Sequence, residues 1–259
     1  MVIRMIKSFY EGGTDMRRSF GIGICFFALF LLPICLLAED YMAQGNALFD
    51  KGKTNLESYK QAGEAFAKAL EANPTSYEAA WRASEAYREY NENSKRQNAP
   101  NWKGICKEYG KIGMKLGEKA IALNPNAIEG YFWYGCNVGS YSDGVSVLTA
   151  LKEGLKNKTQ SSFEKSYELN KMYHDGGPIK ALGRFWFVLP WPLQDKKLSL
   201  KYLREYQKLF PNDAEGQVFL GELLMNMKEK GEAKSLLEKV AASSDKYFSS
   251  EAKRLLAEM

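Results

Sequence analysis

A single histidine, His174, and four cysteines bound the covalent or metal chemistry open to this 259-residue chain. His174 stands beside Gly176-Gly177, where a loop or packing role is expected rather than that of a base. No serine, cysteine or aspartate sits in a nucleophile elbow, and no glycine-rich phosphate loop precedes a helix. The sequence therefore reads as a non-enzyme with no cofactor and no metal. Binding is the remaining class. Tyr131, Trp133, Trp186, Phe187 and Trp191 gather in the middle of the chain. Tyr134 and Trp186 fall on packing positions and are expected in the core, whereas Trp133 and Trp191 are expected to line a groove. There they would offer flat apolar area with a polar N–H, suited to a peptide or an aliphatic ligand. Arg184 could clamp a carboxylate through two hydrogen bonds, or serve as a surface or capping arginine. Asn137, Ser140 and Asp143 would add polar contacts at the same end of the groove, or else terminate a helix.

These residues need elements to position them. Asn126 to Gly139 (NAIEGYFWYGCNVG) places Ile128, Tyr131, Tyr134 or Gly135, and Val138 on one face at helical spacing. Gly135 leaves room for a close neighbour, and an Ala-rich helix ending in Ala120-Ile-Ala-Leu-Asn-Pro125 runs up to it. Two antiparallel helices meeting at small residues form a unit that recurs. Tyr41 to Lys51 is a first helix. Ser58 is expected to cap the next, with Gln61 completing a capping box, and this helix carries Ala62, Phe66 and Ala69 before Asn73-Pro74. Tyr77 to Tyr87 opens the second unit with Trp81, Ala83, Ala86 and Tyr87. A solvated loop is expected over Arg88 to Trp102, and Gly113, Gly117, Ala120 and Pro125 close the unit.

Gly139 to Asp143 is expected to end the central helix, and Val145 to Leu155 to add an extra apolar segment. Thr159, Phe163 and Ser166 then complete the third unit, with Lys171 where proline would be. The fourth starts at the turn Asp175-Gly-Gly-Pro178 and packs through Leu182, Gly183 and Trp186. Leu189-Pro-Trp-Pro192 breaks it, and Ser199, Leu203, Tyr206 and Pro211 finish it. Leu220-Gly221 and Leu224, then Gly231, Ala233, Leu237 and Val240, make the fifth, and Ser249 to Met259 a capping helix.

The small-aromatic-small pattern followed by proline resembles the second helix of the tetratricopeptide repeat. The resemblance implies an all-α solenoid of about five helical hairpins over residues 39–259, roughly 44 residues each against about 34 for the repeat. The motifs Tyr131-Phe132-Trp133-Tyr134-Gly135, Gly176-Gly177-Pro178, Ala181-Leu182-Gly183-Arg184 and Leu189-Pro190-Trp191-Pro192 resemble exported repeat proteins related to the T-component of TRAP transporters. That resemblance implies an oligomeric scaffold whose protein partner is an extracytoplasmic solute-binding protein. A small apolar or carboxylate ligand in the concave groove is the alternative. Trp133, Asn137, Ser140, Arg184 and Trp191 are the candidate groove residues.

Residues 1–38 end in an uncharged run, Gly21 to Ala38, preceded by Arg17-Arg18. This is the pattern of a secretory signal or an uncleaved membrane anchor, and either places residues 39–259 outside the cytoplasm of a bacterium. Membrane contact is expected through this segment alone. Met16 is an alternative start. The net charge of +5 includes +2 in this leader, and the remaining +3 is too small and mixed for a nucleic-acid surface. Cys106 and Cys136 fall roughly 27 Å and 16 Å from the turn at Pro125. Beyond the ~7 Å limit of a bridge, both are expected to be free and buried.

Overall fold

The computed structural model describes residues 37–259, so the apolar segment Gly21–Ala38, with Cys25 and Cys35, falls almost wholly outside them. Twelve helices and no strand occur among the described residues. They are α1 (37–52), α2 (Leu56–Ala72), α3 (Tyr77–Arg96), α4 (Trp102–Leu123), α5 (Ile128–Gly144), α6 (Val147–Lys152), α7 (Leu155–Asn170), α8 (Tyr173–Val188), α9 (Lys196–Leu209), α10 (Ala214–Asn226), α11 (Lys230–Ala241) and α12 (Lys246–Ala257). Five antiparallel hairpins result, α1/α2, α3/α4, α5/α7, α8/α9 and α10/α11, with α6 inserted in the third and α12 covering the end. This is the expected all-α repeat solenoid.

Local chemistry sets the boundaries. Ser76, Asp195, Asp213 and Asp245 cap α3, α9, α10 and α12, each side chain accepting a backbone N–H of the first turn. The helices α2, α4 and α9 all stop two residues short of a proline. Asn73, Asn124 and Phe210 there leave the helical region, with ψ of 86°, 88° and 66°, because the helical conformation is disfavoured for a residue preceding proline. The third hairpin has no such proline and ends differently. His174, Asp175 and Gly176 carry φ of 48°, 52° and 71°, so the first turn of α8 is irregular and regular helix begins near Pro178. Left-handed backbone suits Gly176, where an added Cβ would also strike the Phe210 ring.

Three expectations need correction. Asn55, not Ser58, caps α2 through the N–H of Glu57 at 3.2 Å, because an asparagine one turn earlier is at least as good an acceptor and Ser58 is buried. Arg88 to Trp102 is mostly helix: α3 runs on to Arg96, burying Tyr90, Asn91 and Ser94, and 97–101 alone forms the loop. The central helix does not end at Gly139 to Asp143 but continues to Gly144. Ser140 and Ser142 there turn their hydroxyls back onto the carbonyls of Cys136 and Val138.

The helices close on one another in two ways. Along α4, Gly110, Gly113 and Gly117 let α5 approach until Tyr141, Asn137 and Tyr134 lie against its backbone; a Cβ at Gly110 would stand 2.8 Å from the backbone nitrogen of Tyr141. Gly135 instead admits Phe163 of α7, whose ring would lie 2.8 Å from a Cβ there. The C-terminal hairpins use aliphatic bulk. Leu203, Leu220, Leu223, Leu224 and Ala233 form one cluster, and Val218, Leu237, Val240, Phe248, Ala252 and Leu255 another. Each fully buried leucine contributes roughly 1.5–3 kcal/mol of transfer free energy.

Cys106 and Cys136 are unbridged, the first buried and the second half-buried. Burial pushes both thiols up to about 11, which keeps them protonated and unreactive near neutrality. Among the described residues, no helix is long and apolar enough to cross a membrane.

Candidate functional site

The first helices of successive hairpins pack on one another, α3 on α5, α8 on α10 and α10 on α12. Arg96, at the end of α3, also reaches Glu215 on α10 at 2.9 Å, 119 residues away and past two intervening first helices. Such a contact requires the stack to curl with its first helices inward. The inner face of that curl is the candidate site.

α3 supplies its spine. Arg82, Glu85, Arg88, Glu92 and Arg96 recur at three and four residues and so form one stripe. Arg82 pairs with Glu85, Arg88 with Glu92 at 2.6 Å, and Arg96 with Glu92 at 2.8 Å. From Arg96 the chain of charges passes to Glu215, then from Glu215 to Lys180 of α8 at 2.7 Å and on to Asp213 at 3.7 Å. The guanidinium of Arg96 also lies 5.4 Å from the ring centre of Tyr247 and 5.0 Å from that of Phe248, on the capping helix. Arg88, Glu92, Arg96, Lys180 and Glu215 each keep 20–28% of their side-chain surface exposed, so the network lines a narrow cleft rather than filling a dry core.

Electrostatics follows from that placement. Burial resists the charge of Glu92, but Arg88 and Arg96 on either side outweigh it and hold its carboxyl well below the usual range. Burial likewise opposes the charge of Lys180, yet Glu215 and Asp213 raise its pKa. Glu85 behaves oppositely: burial pushes it up to about 7 despite Arg82, so it titrates near neutrality.

The five candidate groove residues do not come together. Trp133 is 2% exposed and belongs to the core, its Nε1–H donating to the Tyr173 hydroxyl at 3.1 Å while its ring packs on Phe132 and His174. The expectation of a groove position is corrected because α5 is covered on several sides, by α3, α4 and α7, and keeps little free face. Asn137 is fully buried: its amide donates to the Ser84 carbonyl at 2.8 Å and to the Trp133 carbonyl at 3.0 Å, while Ser84 Oγ donates to the Gly113 carbonyl. It locks α3, α4 and α5 together and cannot touch a ligand. Ser140 is buried at the cleft wall, 3.4 Å from the Arg88 guanidinium. Arg184 does face inward, but its Nη1 is committed to Glu222 at 2.5 Å and its plane covers Phe219. Trp191 stands 89% exposed in the α8–α9 loop, away from the other four.

Arg88, Glu92, Arg96, Lys180 and Glu215 are the functional candidates that sequence reasoning missed. The signal within reach was Arg88, Glu92 and Arg96 at steps of four, a helical charge pattern inside a stretch with the composition of a loop. A separate recess of about 300 Å³ opens between the ends of α8, α10 and α12, with Phe187, Met225 and Leu255 on its apolar side and Glu222, Arg254 and Glu258 on its polar side. Among the described residues no group of three or more His, Cys, Asp or Glu could hold a metal ion.

No curated protein matches the sequence. Among solved structures, a thermophilic TPR protein of Thermus thermophilus superposes with TM-score 0.60 at 17% identity, covering 85% of this chain and 99% of that one. The pilF protein of Pseudomonas aeruginosa superposes with TM-score 0.57 at 13% identity, covering 87% of each chain. The MamA protein gives 0.50 at 15% identity, covering 86% of this chain and 94% of that one. At these identities the likeness is one of fold, and that fold is the tetratricopeptide type. The family pattern of regulator of microtubule dynamics protein 1-3 matches residues 41–189, from the first hairpin to the end of α8. Since that match spans more than half of the sequence, the chain belongs to the regulator of microtubule dynamics protein 1-3 family.

Proposed function

We propose that this protein is a scaffold that holds a segment of another protein along its inner, charge-lined cleft. The observation that carries the reading is the α3 stripe with its partners on α8 and α10, deep in the curl yet still reached by solvent. A cleft of alternating charges can exchange internal ion pairs for pairs with a partner's side chains, which favours specificity over raw affinity. That Arg184 is already engaged by Glu222 favours a protein partner over a small carboxylate ligand.

The narrower partner, an extracytoplasmic solute-binding protein of a TRAP transporter, is read from the mid-chain motifs alone. The export that such a partner needs is read from Gly21–Ala38. The family is named for regulation of microtubule dynamics, which makes a cytoskeletal protein a competing partner. One experiment addresses all of these. A photo-crosslinking amino acid placed at Glu89, half-buried on α3 and one helical turn past Glu85 of the stripe, is compared with one at Lys111 on the outer helix α4. Capture of a defined protein from Glu89 and not from Lys111, named by mass spectrometry, is the expected result. Equal capture from both positions, or none from Glu89, would overturn the reading.

A further inference from the structure

The first helices of the hairpins run in one direction, so their C-terminal ends share one edge of the solenoid. On that edge stand two segments that the repeat does not require, α6 after α5 and the loop 189–195 after α8. They are neighbours: Lys156, in the first turn of α7 just past α6, places its ammonium 5.4 Å from the ring centre of Trp186, near the end of α8. Six of the ten exposed large hydrophobic side chains among the described residues belong here: Val147, Leu148, Leu151, Val188, Trp191 and Leu193. At 100° per residue, Val147, Leu148 and Leu151 fall within one arc of about 100° on α6. That arc is more than half exposed, while Ala150 turns toward the core. The apolar face of this short helix therefore points into solvent.

Five lysines flank these apolar residues along the chain: Lys152 directly after Leu151, Lys156 and Lys158 at the start of α7, and Lys196 and Lys197 at the start of α9, just past Leu193. Glu153, which accepts from the Tyr141 hydroxyl, and Asp195, the cap of α9, stand among them, so five lysines against two acids leave this edge positive. We propose that this edge docks on an anionic membrane surface, inserting Trp191, Val188 and the α6 leucines at headgroup level while the lysines meet lipid phosphates. An exposed tryptophan on a loop tip, aliphatics on a neighbouring tip and a lysine border are the chemistry of interfacial attachment. Protruding tips suit a yielding lipid surface better than a rigid protein groove, and the site is distinct from the cleft.

The test uses the full chain, so the leader remains present, and reads residue 191 locally. Tryptophan fluorescence is followed with vesicles of brominated phosphatidylcholine, with and without phosphatidylglycerol. Quenching that requires phosphatidylglycerol, disappears in Trp191→Phe and weakens in the double variant Leu148→Glu, Leu151→Glu is expected. Each of Lys152→Gln, Lys196→Gln and Lys197→Gln should lower the apparent affinity about fivefold. Circular dichroism spectra matching the parent confirm that the variants fold. Equal quenching of the parent and Trp191→Phe, or quenching indifferent to phosphatidylglycerol, overturns the proposal. So does a protein captured through a photo-crosslinker at 191 without vesicle contact, which would assign the edge to a protein interface.

Discussion

The α4–α5 contact, between the second and third hairpins, and the α10–α11 contact, within the fifth, each bring two antiparallel helices together, with opposite materials. Against α4, glycines bring backbone to backbone, and a buried polar knot of Asn137, Ser84 and the Gly113 carbonyl sets the register. Between α10 and α11, Leu220, Leu224, Ala233 and Leu237 interlock, and Gln217 is the buried polar side chain of α10. Aliphatic burial tolerates adjustment, whereas a hydrogen-bonded knot tolerates one alignment. The rigid end is the one that carries the charged spine of the cleft.

The largest expected effect lies in the aliphatic half. Leu224→Ala should lose about 3–4 kcal/mol in urea unfolding by leaving a cavity, with hydrogen exchange accelerated mainly in α10 to α12. In the glycine half, Gly110→Ala should lose about 2–3 kcal/mol through overpacking, more than a better helix former recovers. The contrast fails if both changes accelerate exchange uniformly along the chain. A sharper version concerns Gly113, whose added methyl would collide with the Asn137 side chain and not with backbone. Gly113→Ala should cost about 2 kcal/mol alone, but Asn137→Ala should then rescue part of that loss. The double-mutant cycle should show a coupling of about 1 kcal/mol.

The last effect is electrostatic and is read as a slope against pH. The folded pKa of Glu85, about 7, lies above its ordinary 4.5. Its contribution is therefore full below pH 4.5 and lost as pH rises through 7. Glu85→Gln should remove a downward slope of at most about 1.4 kcal/mol per pH unit from the stability profile in that window. Glu92, held below its ordinary value, has the opposite sign: its contribution is present above pH 4.5 and fades on acidification. A parent profile without a downward component from Glu85 between pH 5 and 7 would remove the asymmetry between these two glutamates on one helix.

Part of this architecture is written locally in the sequence. The hairpins were legible because Ala62, Phe66 and Ala69, or Gly113, Gly117 and Ala120, mark helix contacts by local spacing, and Pro74, Pro125 and Pro211 end helices by local sterics. The stretch 88–96 was not, because its composition is that of a solvated loop. Its helicity comes from i,i+4 ion pairs and from Tyr90 and Asn91 meeting distant helices. The groove position expected of Trp133 needs a surface that α5 does not have, since a periodicity of one helix says which face is apolar but not how many neighbours cover the other. The link from Arg96 to Glu215 leaves no local mark, as neither residue is unusual where it stands.

That link has an evolutionary reach. An open array of hairpins can gain or lose a unit and remain a working array, because each unit touches its neighbours alone. Here a residue of the second hairpin grips residues of the fifth and of the capping helix. Inserting or deleting one hairpin between them would rotate Glu215, Tyr247 and Phe248 out of reach of Arg96. The tie thus acts as a ruler on repeat number, and length variation in descendants of this chain should fall outside residues 96 to 215.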